Sequence, residues 1–158
     1  MREMRRKDRQ LEDAETISIL ENGEYGVLST VTEDISPYGV PLNYAFDAES
    51  MTIYMHCSSA GGQKTDNLRF CPKACFTIVY KTELMPEDFG TKYWSANVFG
   101  NVSIVDDTDE KQKGIEAILR KYSPDHVEKG LEFIRGTFDR FSILKLDIRM
   151  ISGKARKQ

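Results

Sequence analysis

The segment from Tyr54 to Cys75, YMHCSSAGGQKTDNLRFCPKAC, gathers all three cysteines, one of the two histidines and a lysine that follows a run of small residues. Four chemistries use such groups: a zinc centre, a thiol redox pair, nucleophilic catalysis and an anion cradle. Structural zinc sites show two tight ligand pairs, commonly spaced about two to four residues apart. His56 and Cys57 are adjacent instead, and on a strand they point to opposite faces. Cys75 opens an apolar strand, where cysteine usually serves as a small core residue. No Cys-x-x-Cys is present, and only Lys64 stands near enough in sequence to lower a thiol pKa. A triad lacks its Gly-x-Ser-x-Gly elbow, and His126 falls in the charged surface segment SPDHVEKG. No metal is expected.

The anion cradle fares better. SSAGGQK is not the Walker pattern. Its small residues Ser58 to Gly62 nevertheless let backbone amides approach an anion, the following helix adds its positive end, and Lys64 supplies full charge. Taken alone, such a segment is also a plain strand-to-helix connection with a solvated lysine. The choice rests on the rest of the chain.

The elements around the segment are mostly strands. YGVLSTV, YGVPLNYAF and MTIYMHC alternate with a period of two and are separated by the turn-rich TEDISP and DAES, which reads as a three-strand meander. In the second strand Tyr38, Val40, Leu42, Tyr44 and Phe46 share one face, and Gly39, Pro41, Asn43 and Ala45 share the other. Large residues face the core; the small ones leave room outside. Pro41 cannot donate to a ladder, so it marks either an edge or a place of close approach.

GQKTDNLRFC reads as one or two helical turns, ACFTIVY as an apolar strand and KTELMPEDFG as irregular. TKYWSANVFGNVSIVD is a long strand whose length invites a bulge near Gly100. LEDAETISILEN is an amphipathic helix with a stripe of Leu11, Ala14, Ile17 and Leu20 and a stop at Gly23. TDEKQKGIEAILRKYS is a helix capped at Thr108, with Ile115, Ile118 and Leu119 on its apolar face. DHVEKGLEFIRG is a shorter helix, and FDRFSILKLDIRMISGKA a final alternating strand. About six strands, joined too tightly at first for parallel crossovers, predict a mainly β fold: an antiparallel barrel with peripheral helices.

At 158 residues the chain fits one domain. Residues 1–10 and 154–158 read as mobile basic tails around a domain spanning 11–153. The net charge of −3 offers no field for nucleic acid. No apolar run reaches the roughly 20 residues that span a bilayer, and the odd, low cysteine count suits a reducing compartment. A cytoplasmic protein without membrane or nucleic-acid partners is expected.

The order GVLSTVTEDISPYGVPLNYAFD, TIYMHCSSAGGQKTDNLRFCPKACFTIV and TKYWSANVFGNVSIVDD resembles the flavin-binding split-barrel proteins related to pyridoxamine phosphate oxidase. Within them it most resembles the nitroimidazole resistance branch, whose members are considered reductases. YGVPLNY and the His-loop-Lys-DNL segment carry the likeness. It implies a six-stranded split barrel that dimerises and holds FMN in clefts between subunits. It also implies that Val40, Pro41, Leu42 and Asn43 run beside the flavin ring, that His56 and Cys57 follow, and that Lys64 pairs with the phosphate. Gln63 stands where many relatives carry a second basic residue, and the resemblance implies that Trp94 and Ser95 reach toward the flavin of the other subunit.

His56 in that place would be catalytic, giving a hydrogen bond or a proton to a small-molecule substrate; the alternative is a histidine satisfied by a backbone carbonyl. The activity so implied is electron transfer from a reduced nicotinamide donor to a small aromatic or nitroaromatic acceptor. The alternatives are a non-catalytic flavin carrier or sensor, or a split barrel holding heme or deazaflavin. No Rossmann fingerprint is present, so a nicotinamide would dock transiently.

Overall fold

Burial alternates along the second expected strand as its parity requires, and one break in it shapes the whole molecule. The computed structural model describes residues 3–157; the tail positions Met1, Arg2 and Gln158 lie outside the described residues. The expected strand is interrupted at Asn43, giving β2 (Pro37–Leu42) and β3 (Tyr44–Asp47). β2 pairs with β1 (Gly26–Val31), whereas β3 pairs with β4 (Thr52–Ser58). One extended stretch therefore serves two neighbours.

The remaining strands are β5 (Lys73–Met85), β6 (Gly90–Ile104) and β7 (Phe141–Arg156). All seven form one antiparallel sheet in the order β2-β1-β5-β6-β7-β4-β3. Its two ends, β2 and β3, are the same stretch of chain, so the sheet curls into a barrel. Seven strands replace the expected six because the break at Asn43 divides one of them. Beyond Tyr44, β2 leaves toward β1 while residues 56–58 of β4 continue along β7, and the barrel is split between them.

The interior is filled by the inward-facing set. Leu28, Tyr44, Ile53, Met55, Phe76, Ile78, Val98, Leu144 and Leu146 are all fully buried. Helix α1 (Asp13–Asn22) closes one end with Ile19 and Leu20, and the Tyr44 hydroxyl donates to the Leu20 carbonyl at 2.8 Å. The helix begins at Asp13, two residues later than expected, and its buried stripe is Thr16, Ile19 and Leu20 rather than Ala14 and Ile17.

Helices α3 (Thr108–Tyr122) and α4 (Val127–Thr137) cover the outer face of β3, β4 and β7, where Ala45, Tyr54, Ile115, Ile118, Ile134 and Ile143 form a second apolar cluster. The α3 cap is Asp107, whose carboxylate accepts from the Glu110 amide at 2.8 Å, and not Thr108. α2 (Gln63–Phe70) follows β4.

KTELM is strand rather than irregular: β5 and β6 continue as a ribbon to a short turn at Pro86–Asp88. The register slips between Phe99 and Gly100, where the bulge was expected. A Cβ on Gly100 would lie 2.1 Å from the Asp147 carbonyl oxygen, so only glycine lets the two backbones approach there. Lys154, Ala155 and Arg156 are β-paired with Ser95, Trp94 and Tyr93, and Ala155 is buried.

Candidate functional site

The split gathers most of the residues singled out in the sequence, and strand parity sorts them into two sets. Val40, Leu42 and Cys57 point inward: the first two pack against the core and Cys57 is buried in it. Burial pushes the Cys57 thiol pKa up, partly opposed by the Lys64 charge. Pro41, Asn43 and His56 point outward and are exposed. Carried one residue past the Tyr44–Met55 pair, the β3–β4 register sets Asn43 beside His56.

His56 pairs across β4 with Ile143. Its ring reaches the surface, but the surrounding protein and the Lys64 ammonium lower its pKa, burial being the larger cause. The imidazole is therefore neutral at pH 7 and keeps one N–H to give and one lone pair to receive.

The Ser58–Gly62 loop is held on both sides. The Ser59 amide donates to the Arg140 carbonyl at 3.1 Å and its hydroxyl donates to the Asp139 carbonyl at 2.8 Å. The Ser58 hydroxyl accepts from the Ala60 amide. Gly61 and Gly62 adopt φ of +82° and +145°, conformations that favour glycine, and a Cβ at Gly62 would meet nothing within 4 Å. Thr65 fastens the turn by accepting from the Gly62 amide at 2.9 Å and donating to the Gly62 carbonyl at 2.6 Å. The amides of Gln63 and Lys64, the first of α2, have no intrahelical acceptor.

Gln63 is exposed and turns back along α2, its amide nitrogen donating to Asn67 at 2.7 Å. Asn67 in turn donates to Thr30 at 2.9 Å, and Thr30 donates to the Tyr38 carbonyl at 3.4 Å. This buried chain ties α2 to β1 and β2 and so fixes Lys64 across the split. Thr30, Thr65 and Arg140 were not singled out in the sequence. Asn67 lies in the DNL segment that carried part of the likeness; Arg140 had no signal, because only the return of β7 brings it to the loop.

Trp94 and Ser95 are not part of this cluster. Trp94 packs against the interior and pairs with Tyr80 and Ala155, and the Ser95 hydroxyl donates to the Lys154 carbonyl at 3.3 Å. Ala155 stands on the order of 40 Å along β7 from Ser142, the partner of Cys57, at about 3.3 Å per residue. Within one chain they occupy the other end of the sheet.

Among the described residues no three of His, Cys, Asp and Glu converge as metal ligands. No described helix is long and apolar enough to cross a membrane.

A curled antiparallel sheet split beside a glycine loop and a helix start is the architecture of the split-barrel class. The family model for pyridoxamine 5'-phosphate oxidase matches residues 12–155, and the chain belongs to that family.

Solved structures share the fold. A candidate 5-nitroimidazole antibiotic resistance protein from Bacteroides thetaiotaomicron is 20% identical, with 92% of this chain and 86% of that one covered at a TM-score of 0.72. The flavocytochrome Anf3 from Azotobacter vinelandii is 18% identical, with 99% and 73% covered at 0.79. The FAD and heme binding protein from Mycobacterium smegmatis is 15% identical, with 95% and 74% covered at 0.77. No curated protein matches this chain in sequence.

Proposed function

We propose that this chain is an FMN-binding oxidoreductase, working in the cytoplasm as a homodimer, that passes electrons from a reduced nicotinamide donor to a small aromatic or nitroaromatic acceptor. The observation that carries the reading is the convergence, at the split, of a glycine-rich loop, a helix start and Lys64 with the exposed outer edge of Pro41, Asn43 and His56. A phosphate and a flat ring need those two neighbours, and the residues present fit both. The structural relatives named for flavin or FAD binding and for nitroimidazole resistance support the same reading.

Bound FMN would supply the redox chemistry. The Lys64 ammonium and the free amides of α2 would hold its phosphate. The outer edge of β2, with proline in place of a donor and glycine in place of a side chain, leaves the approach to the ring clear. Neutral His56 would donate a hydrogen bond to the acceptor or to the ring edge and hold a proton for transfer.

The homodimer has its own support. Val27 on β1 and Val79 on the neighbouring β5 are 36% and 57% exposed, Tyr25 just before β1 is 58% exposed, and Pro41 lies opposite Val27. This apolar patch runs up to the split. A second copy seated on it would bring its own Trp94 and Ser95 to a site that one chain leaves without them.

The test is direct. The purified protein should carry a flavin spectrum or quench FMN fluorescence, and NADH or NADPH should bleach the bound flavin anaerobically until a nitroaromatic is added. Absence of FMN binding would sink the proposal. Bleaching without reoxidation would favour a carrier or sensor. A Soret band would favour heme, the reading to which the likeness to the FAD and heme binding protein lends weight. Light scattering showing a monomer at micromolar concentration would remove the shared cleft.

A further inference from the structure

The outer face of His56 opens into a second feature that the cofactor reading does not use. Between α3, α4 and the end of the sheet lies a cavity of about 430 Å³, within the usual size of a small-molecule site. His56 and Phe141 form its floor, Ile118 and Leu119 of α3 one wall, and Phe133 of α4 its rim. Phe133 is 71% exposed, an aromatic ring left at the mouth with nothing over it.

The polar groups of this cavity are few and of one sign. Arg140 is the single formally charged residue of the lining, and no carboxylate lines it. No ion pair or hydrogen bond engages the Arg140 guanidinium among the described residues. The Thr137 hydroxyl is already spent on the Phe133 carbonyl, and the Tyr122 hydroxyl, on the Glu24 carbonyl. That leaves a fixed cation, a neutral imidazole and the Ser123 hydroxyl around an apolar volume.

We infer that this cavity binds a flat aromatic carboxylate, its ring between Phe133, Leu119 and Phe141, its carboxylate on Arg140 and its far edge against His56. A planar guanidinium meets a carboxylate with two parallel N–H donors, and the apolar walls repay burial of the ring. A cationic ligand would meet the like charge of Arg140 with no carboxylate to offset it, and a sugar would leave most of its hydroxyls unpaired against the apolar walls. The inference rests on the proposed function in one respect only: it makes this molecule the acceptor at the His56 site and so narrows the acceptor class to anionic aromatics.

The experiment uses the full chain as purified and again saturated with FMN, titrated with 4-nitrobenzoate and with its uncharged methyl ester, followed by calorimetry and by the His56 proton resonances. The acid should bind both forms, shift His56, and lose roughly tenfold or more in affinity in Arg140→Ala, while the ester is unmoved by that change. Phe133→Ala should weaken acid and ester alike. Both residues are exposed, so neither change threatens the fold.

Failure of the acid to bind either form overturns the inference, as does equal loss or no loss of acid and ester in Arg140→Ala. Competition between FMN and the acid also overturns it, by assigning Arg140 and the cavity to the cofactor. Because the titration without FMN needs no flavin, a chain that bound the acid and not FMN would uphold the cavity and defeat the proposed function instead.

Discussion

The two sides of the curled sheet are packed to different ends. Inside, Phe76 lies edge-on to Tyr44 at 5.1 Å between ring centroids, and the residues around them are excluded from water. Outside, α3 and α4 bury Tyr54 and Ile143 but stop short of His56, leaving the cavity beside it. The same strand, β4, feeds both: Met55 and Cys57 inward, Tyr54 and His56 outward. The difference teaches that the interior is committed to holding the barrel closed, while the outer face beside His56 keeps open space where the proposed ligand would sit.

Substitutions test that division. The largest effect should come from Phe76→Ala, about 3–5 kcal/mol of lost stability by denaturant unfolding, since a close-packed interior cannot collapse around the void. A small effect would show the interior to be looser than the contrast requires. Lys64→Ala should leave unfolding nearly unchanged and weaken FMN binding by about 1.5–3 kcal/mol, read by fluorescence titration. Unchanged affinity would mean that the phosphate lies elsewhere. His56→Ala should keep FMN binding and lower turnover; if neither changes, His56 belongs to the structural side.

Lys121 stands where the two regions meet. Its ammonium is buried without a hydrogen-bond partner among the described residues and lies 3.6 Å from the centroid of the Tyr44 ring. Burial pulls its pKa down from 10.5 to about 8. Below pH 8 both folded and unfolded chains carry the proton, and the burial penalty is full. As pH rises from about 8 to 10.5 the folded chain gives up its proton first, so stability should rise across that window. Lys121→Met should raise stability at pH 7 by about 1–2 kcal/mol and flatten that rise, measured as melting temperature against pH. Loss of stability instead would mean that the contact with the Tyr44 ring outweighs desolvation. The smallest effect belongs to Phe133→Ala, which should shift stability by less than about 0.5 kcal/mol because the ring is already in water.

Much of the fold was legible because it rests on local pattern. The alternation in YGVPLNYAF placed Val40, Leu42, Tyr44 and Phe46 on the core face correctly, and Gly100 marked its bulge. The ribbon at KTELM was not legible, since exposed strands carry no alternation and owe their form to the partner strand. The α3 cap went to Asp107 rather than Thr108, a one-residue ambiguity that only the geometry of the turn resolves. Of the candidate site, Lys64, Asn43 and His56 were in view from residue type and likeness to a family; Arg140 and the cavity were not.

By itself, then, the sequence determined the period of each strand, the glycine loop and the lysine behind it, because backbone conformation and side-chain direction depend on near neighbours. Only the tertiary structure decided that one strand breaks at Asn43 to open the split, that the pairing of β7 with β4 brings Arg140, just before β7, to the Ser59 loop, and that Trp94 lies too far from His56 to serve the same chain's site. Those facts come from pairings between residues distant in sequence, and such pairings are set by how the whole sheet curls to bury its inner face.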